Sequence, residues 1–243
     1  MLKTFTQWLL RPGAHEARAA LQAWCESSGW AWRSTREREG FVIDTRAGEL
    51  EGRIEWGLSQ RRYLGAHELR LRGEVALSPQ AHALVMPQAL MEAVESELFS
   101  QFVGGVQTRL DQETPEEMRW LALSPKLSPA LLGELKGHYA AVSNRSPWLA
   151  HWLQGPLGDV LLQRAQGPAE LAPPFALVAQ RGRLTLRVAL AEPDVASVQA
   201  ALALFEMALT QARLTAAEAA EAEGETEIGG DPDLGQGGDS VLP

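Results

Sequence analysis

Residues 50–58 read LEGRIEWGL and residues 68–75 read ELRLRGEV, and these two stretches decide the fold. In both stretches apolar side chains occupy every second position, and most of the positions between them are charged. A period of two is typical of a β-strand that buries one face and leaves the other in water. We therefore predict two half-buried antiparallel strands here.

Shorter patterns extend this sheet towards the N-terminus. Trp30 and Trp32 mark a first strand, and Phe41 and Ile43 mark a second in the same way. The sequence therefore predicts four antiparallel strands within residues 30–76, with one face exposed to water.

Apolar residues at helical spacing predict helices before and after this region. The predicted helices cover residues 1–28 with a break at Pro12-Gly13, 78–103 with a kink at Pro87, 114–123, 147–165, and from Pro193-Asp194 to about residue 214. A strand near residues 137–143 and a hairpin at residues 175–190 complete the second half of the chain.

Together these elements predict an α+β protein in which antiparallel sheet or sheets carry helices packed on one face, followed by a disordered acidic tail. Residues 1–112 hold helices, the four-stranded sheet and the helix after it. Residues 113–214 hold helices, the hairpin and a C-terminal helix, packed with the first half as one unit. Residues 215–243 carry eight acidic and no basic residues without an apolar period, which is typical of disorder.

The two predicted hairpins resemble each other. Residues 41–56 and 175–190 align without gaps, and Phe41 matches Phe175 while Gly48 matches Gly182. An ancient duplication would explain the match, and so would the common requirements of any hairpin with a glycine turn. The flanking elements do not match, which favours the second explanation.

Charge and composition bear on the class of protein. The net charge of −9 is concentrated in the tail, so the predicted folded part is nearly neutral. This argues against bulk-charge binding to nucleic acid or to an anionic membrane. No transmembrane segment or signal peptide is predicted, and the single Cys25 excludes an intrachain disulfide. We expect a cytoplasmic protein, and the preference for arginine over lysine suggests a bacterial genome rich in GC.

No motif for catalysis, phosphate binding or metal binding is present. The five histidines have no metal-ligand spacing, and no nucleophile elbow or glycine-rich phosphate loop occurs. Cys25 lies beside Trp24 on the apolar side of a predicted helix, so we expect a buried thiol. The sequence therefore predicts no catalytic residue, no cofactor and no metal.

Arginines are abundant in the predicted N-terminal sheet. Glutamates and aspartates of the same segment nearly cancel the charge of these arginines. Cross-strand Glu–Arg pairs on the solvent-exposed face of the sheet therefore explain why both residue types are frequent here. The least neutralised place is a loop between strands that holds Arg61, Arg62 and Tyr63. We predict that these three residues contact an anion or a partner.

A pocket assembled from residues distant in sequence is the second candidate site. Its predicted members are His138, Arg145, Trp148 and His151, which combine polar groups with an aromatic ring.

Three functional hypotheses follow. A non-enzymatic interaction or accessory protein, with another protein as its partner, agrees best with the missing catalytic motifs and the charged sheet face. A small-molecule binder or enzyme would need a site built by the fold. Binding of single-stranded nucleic acid by the arginine-rich sheet is the weakest of the three. The sequence does not predict an oligomeric state.

Overall fold

The computed structural model describes residues 12–35, 40–45, 52–103, 115–167 and 173–228. Eight strands form one antiparallel sheet in the order β1-β2-β3-β4-β8-β7-β5-β6. The strands are β1 (Ala31–Ser34), β2 (Phe41–Asp44), β3 (Gly52–Leu58), β4 (His67–Glu74), β5 (His82–Pro87), β6 (Tyr139–Ser143), β7 (Phe175–Gln180) and β8 (Arg183–Ala189). The helices are α1 (Pro12–Ser27), α2 (Gln88–Val103), α3 (Glu116–Leu123), α4 (Pro129–Leu132), α5 (Ser146–Leu153), α6 (Pro156–Gln166) and α7 (Val195–Ile228), and 3-10 turns lie at Arg62–Leu64 and Gly133–Leu135.

The predicted fold class, an α+β protein with an antiparallel sheet, is confirmed. The period-two stretches form β3 and β4, whose register places Ile54 opposite Leu71 and Trp56 opposite Leu69. All four of these side chains are buried. Alternation therefore directs one face of the sheet into the core, as the sequence indicated.

The two halves of the chain share this sheet. β4 pairs with β8 along seven residues, with Leu71 opposite Leu186. β5 belongs to the first half of the chain, yet it lies between β7 and β6 of the second half. The main core is therefore continuous across both halves.

Helices α1, α5, α6 and α7 cover the apolar face of the sheet. Two buried tryptophans of the main core donate hydrogen bonds by their indole N–H groups. Trp56 donates to the carbonyl oxygen of Leu190 at 2.8 Å, and Trp152 donates to that of Ala208 on α7 at 2.9 Å. Buried polar groups need such partners, so the first bond ties β3 to the residue after β8 and the second ties α5 to α7.

The second face of the sheet is covered only in part. α2 and α3 pack over β5 and β6, where Leu84, Met86 and Met91 form a smaller apolar cluster with Trp120. The prediction placed helices on one face, so this second helical layer is an addition to it. Within the described residues the outer side of β3, β4 and β8 is lined by open clefts.

Residues 82–87 were wrongly predicted to be helical. They form β5, a central strand whose residues Ala83–Met86 are all buried. A strand that is buried on both faces has a continuous apolar run in place of a period of two, so it resembles a helix segment in sequence. Pro87 ends the strand, and α2 begins at Gln88.

The helix predicted at residues 147–165 is in fact two helices. α5 ends at Leu153 and α6 begins at Pro156, with Gly155 between them at a φ of +69°. A positive φ suits glycine, and the proline that follows begins a new helix. The predicted buried residues Trp148, Trp152, Leu157 and Leu161 are all buried.

The predicted start of the tail at residue 215 is too early. α7 continues to Ile228, since the Ala- and Glu-rich sequence there favours helix. The remainder of the predicted tail, residues 229–243, and the first predicted helix, residues 1–11, lie outside the described residues.

α7 contains a stretch, Val195–Ala219, that is long and apolar enough to cross a membrane by length and composition alone. Its stripe of Val198, Leu202, Phe205 and Leu209 packs into the main core, as predicted. The core helix of a soluble protein has the same composition.

Candidate functional site

The open part of the second face is lined by charged side chains of β3, β4 and β8. Alternation sends Ile54, Leu71 and Leu186 into the core, so their neighbours along each strand point to the other side. The outward charged side chains are Arg53, Glu55, Glu68, Arg70, Arg72, Glu74, Arg183 and Arg187.

Glu68 is the centre of a buried ion-pair network on this face. Its side chain is fully buried, and its Oε1 accepts hydrogen bonds from Arg187 Nη1 at 2.8 Å and Arg70 Nη1 at 3.1 Å. The backbone N–H of Gln60 donates to the same oxygen at 3.0 Å. Arg70 also pairs with Glu55 at 3.1 Å. Buried charges require this kind of compensation, so the network holds Arg70 and Arg187 in fixed positions.

The register places like charges directly opposite each other. Arg53 faces Arg72 across β3 and β4, and Arg70 faces Arg187 across β4 and β8. Directly opposed like charges destabilise a sheet unless an acid intervenes. Glu68 bridges Arg70 and Arg187, whereas Arg72 makes no hydrogen bond or ion pair with any described residue.

The electrostatic environment of Arg72 reflects this arrangement. Burial lowers the pKa of Arg72 below its ordinary value, and the positive charges of Arg70 and Arg187 lower it further, while Glu55 acts in the opposite direction. Arginine nevertheless stays protonated at neutral pH. Arg72 therefore presents a positive charge without a direct ion pair among the described residues, since Glu55 pairs with Arg53 and Arg70.

Two adjoining clefts open above these side chains. The first has a volume of about 450 Å³ and is lined by five arginines, namely Arg61, Arg72, Arg181, Arg183 and Arg187. The second, of about 660 Å³, is lined by five arginines as well, namely Arg33, Arg53, Arg72, Arg183 and Arg213. Arg72 and Arg183 line both clefts, and we call the combined space the arginine cleft.

Arg183 is the second cation of the arginine cleft without a partner. It begins β8, is exposed, and forms no hydrogen bond or ion pair with the described residues, although it lies opposite Glu74 and Gln180 in the sheet. Thr185, directly opposite Arg72, lines the cleft and adds a hydroxyl group. This arrangement can receive a negatively charged group from outside the described chain.

One end of the arginine cleft is closed by the first turn of α3. The buried carboxylate of Glu117 accepts hydrogen bonds from Arg61 Nε, from Arg61 Nη2 at 3.1 Å and from the Tyr63 hydroxyl at 3.0 Å. Beside it, Glu116 pairs with Arg181 at 2.7 Å. Two neighbouring carboxylates of the chain thus already bind two arginines of the cleft.

These contacts alter the titration of both partners of Glu117. Burial lowers the pKa of Arg61, but the hydrogen bond and charge of Glu117 outweigh it, so the net pKa is raised. The pKa of Tyr63 is raised by burial and, in addition, by the charge of Glu117. Arg61 therefore stays charged and Tyr63 stays neutral, which preserves the contact at physiological pH.

The position of α3 is set by His82 at the start of β5. The His82 ring stacks on Trp120 with centroids 4.6 Å apart, and its Nε2 lies 2.7 Å from the Ser124 hydroxyl. Burial lowers the pKa of His82. These contacts hold the Glu116–Glu117 turn at the end of the arginine cleft.

The structure separates the three residues predicted to contact an anion. Arg61 lines the arginine cleft, where it pairs with Glu117. Tyr63 lies half-buried behind it against the smaller apolar cluster. Arg62 is exposed in the 3-10 turn and is not among the residues that line the arginine cleft.

The predicted pocket of His138, Arg145, Trp148 and His151 is not assembled as one site. Arg145 and Trp148 line a small cleft of about 240 Å³ together with Ala216 of α7. His138 lies at the opposite end of β6, and exposed His151 pairs with Glu218 at 3.0 Å. The buried Trp148 indole donates to the Thr215 hydroxyl at 3.1 Å, which indicates a packing role.

The sequence analysis missed the convergence of Arg72, Arg183 and Arg187. The available signal was the presence of arginines on one face of each of two strands, at 70 and 72 in β4 and at 183 and 187 in β8. These arginines come together because β4 pairs with β8, which the sequence does not indicate. In the part of the chain that the structure describes, no group of three or more His, Cys, Asp or Glu side chains is placed to hold a metal ion.

Comparison with known proteins adds one solved structure. No protein family matches the chain, and no curated protein matches it either. The crystal structure of the mycobacterial trehalose monomycolate transport factor A, TtfA, is similar with a TM-score of 0.43 and 9% identity, covering 84% of this chain and 96% of that one. A likeness at this level carries no functional argument.

Proposed function

We propose that this chain is a non-enzymatic interaction or accessory protein that holds a negatively charged region of a partner protein in its arginine cleft. The observation that carries the proposal is the pair of cations, Arg72 and Arg183, that form no ion pair with the described residues and line both clefts, while Arg61 and Arg187 in the first cleft are paired with Glu117 and Glu68. Charge complementarity of this kind steers a partner and fixes its orientation.

A partner protein fits the arginine cleft better than single-stranded nucleic acid does. Nucleic-acid binding of that type depends on aromatic side chains on which bases stack. Trp56, the aromatic residue of β3, points into the core and is 1% exposed. The residues that line the two clefts include no aromatic side chain.

The acids of the arginine cleft also support a binding role. Acid–base catalysis needs a group that is free to exchange a proton with a substrate. Glu117 is held by Arg61 and Tyr63, and Asp44 lies 3.5 Å from Arg33. These contacts occupy both carboxylates with polar groups of the chain itself.

The test is a pull-down from cells that express the tagged full-length chain at native abundance. Arg183→Glu reverses the charge of an exposed cleft residue and should leave the fold intact, as a circular dichroism melt would verify. Lys136→Glu makes the same charge change at an exposed residue after the Gly133–Leu135 turn, away from the arginine cleft. We expect the partner to be lost with Arg183→Glu and retained with Lys136→Glu.

Retention of the same partner by the Arg183→Glu variant would contradict the proposal. So would the absence of any partner with the unmodified chain.

A further inference from the structure

We infer that the group entering the arginine cleft is an extended acidic segment of the partner, whose carboxylates bind Arg72 and Arg183. This inference rests on the proposed function and specifies the chemistry of its ligand. Four observations on the cleft support it.

The chain itself shows how the arginine cleft binds carboxylates. Glu116 and Glu117, adjacent in sequence, occupy Arg181 and Arg61 at one end of the first cleft. Glu117 receives two N–H groups from one guanidinium, the fork geometry in which arginine binds a carboxylate best. Arg72 and Arg183 line the same cleft and lack the equivalent acids.

The arginine cleft is lined by more basic than acidic side chains. Each of the remaining arginines on the floor and at the closed end has an acidic partner. These pairs are Arg53 with Glu55, Arg70 and Arg187 with Glu68, Arg61 with Glu117, and Arg181 with Glu116. Among the described residues, Arg72 and Arg183 remain on the strands without an acidic partner, and Arg213 of α7 donates only to the backbone carbonyl oxygen of Glu74, so an acidic group that enters the cleft meets positive charge that is not yet neutralised.

The arrangement of the strands favours an extended ligand. Arg72 lies on β4 and Arg183 on the neighbouring strand β8, two residues further towards the end of the sheet. Neighbouring strands are about 4.8 Å apart, and alternate side chains of an extended peptide are about 6.6 Å apart on one side. A peptide that crosses β3, β4 and β8 can therefore place alternate acidic side chains within reach of both guanidinium groups.

The floor of the arginine cleft is rigid. Arg187 is 7% exposed and lines the first cleft, while Glu68 and the backbone of Gln60 fix the network beneath it. A preformed floor lowers the ordering cost of binding, so a short segment is sufficient for measurable affinity.

The experiment is fluorescence anisotropy of the full-length protein with a labelled twelve-residue peptide in which glutamate alternates with serine. The matched peptide has glutamine in place of glutamate, and a labelled twelve-residue oligothymidylate supplies a nucleic-acid chain. Inorganic phosphate at 10 mM, with ionic strength held constant, tests whether any small anion displaces the peptide.

We expect the glutamate peptide alone to bind at low salt, with affinity falling steeply as salt rises. Arg72→Ser and Arg183→Ser should each weaken binding about tenfold, the usual effect of losing one charge-assisted contact. Arg72→Lys should recover only part of that loss, because lysine lacks the planar fork. Lys136→Ser should stay within about twofold of the unmodified chain.

Three results would overturn the inference. They are stronger binding of the oligothymidylate than of the peptide, displacement of the peptide by phosphate, and peptide binding that is indifferent to Arg72 and Arg183. If any of these occurred while Arg183→Glu still released the partner in the pull-down, the proposed function would stand and only the acidic-segment inference would fall.

Discussion

Arg187 Nη1 lies 2.8 Å from Glu68 Oε1, although the two residues are 119 positions apart in the chain. Both side chains are buried, and the contact crosses the junction of β4 with β8. The first and second halves of the sheet are therefore joined by a charge pair as well as by backbone hydrogen bonds.

Removal of the Glu68 charge should destabilise the protein. Glu68→Gln leaves Arg187 and Arg70 facing each other with less compensation, so we expect the free energy of unfolding to fall by about 3 kcal/mol. Urea denaturation measures this change. Glu74→Gln is the matched control on the same strand, because Glu74 is exposed, and it should change stability by no more than about 0.5 kcal/mol. Equal effects of the two substitutions would show that the network adds nothing.

A methyl group at Gly40 should be costly. A Cβ atom there would collide with the carbonyl oxygen of Trp56 in the adjacent β3, and a backbone atom cannot move aside as a side-chain tip can. We expect Gly40→Ala to lower the free energy of unfolding by about 1–3 kcal/mol. Gly57→Ala provides the control, since the nearest atom to its added Cβ would be 3.9 Å away. Thermal denaturation of both variants checks the contrast, and tolerance of Gly40→Ala would place these strands further apart than described.

The thiol of Cys25 should be unreactive in the native state. Burial, and then the charge of Glu26, raise the pKa of Cys25 to about 11, so the thiolate is scarce at pH 8. We expect slow labelling by a disulfide reagent at pH 8 and rapid labelling in 6 M urea, followed by absorbance. Rapid labelling without denaturant would mean that α1 separates from the sheet under native conditions.

Acidification should weaken the attachment of α3. Burial lowers the pKa of His82 below 6.5, so the unfolded state binds protons more readily than the folded state in that range. The contribution of His82 to stability is therefore complete above about pH 6.5 and is lost as the pH falls through the folded pKa. Urea denaturation at pH 7.5 and 5.5 should show a smaller acid-induced loss for His82→Phe, which retains a ring against Trp120. An identical loss in both proteins would assign it to other groups.

The sequence alone predicted correctly the elements that bury one face and expose the other to solvent. In β3 and β4 most of the alternate side chains are charged, so burial of Ile54 and Leu71 follows from the period alone. The same reasoning located the hairpin of β7 and β8 and the buried stripe of α7. These features depend on residues that are close in sequence.

The sequence pattern gave a wrong prediction where the burial of a strand depends on residues distant in sequence, and where one residue interrupts a helix. β5 is apolar throughout because β7 and β6 flank it and α2 covers one side, and none of these partners can be inferred from HALVMP itself. The break at Gly155 depends on one backbone angle within an otherwise helical apolar pattern.

The candidate site was predicted least well. The expected Glu–Arg ladder exists at Glu55 and Arg70, but the same register sets Arg53 against Arg72. Charge counting along the sequence treats all these residues as mutually neutralised. It cannot reveal that Arg72 forms no ion pair in the folded sheet, where β8 places Arg187 opposite Arg70.

The location of β5 between β7 and β6 has a consequence during synthesis. The ribosome releases the apolar residues 82–87 long before residues 139–143 and 175–180, which are their strand partners in the described sheet. Because synthesis adds about 5–20 residues per second, the backbone groups on both edges of this hydrophobic segment stay without strand partners for several seconds. The nascent polypeptide thus passes through an aggregation-prone interval, in which a general chaperone that binds such segments should increase the yield of folded protein.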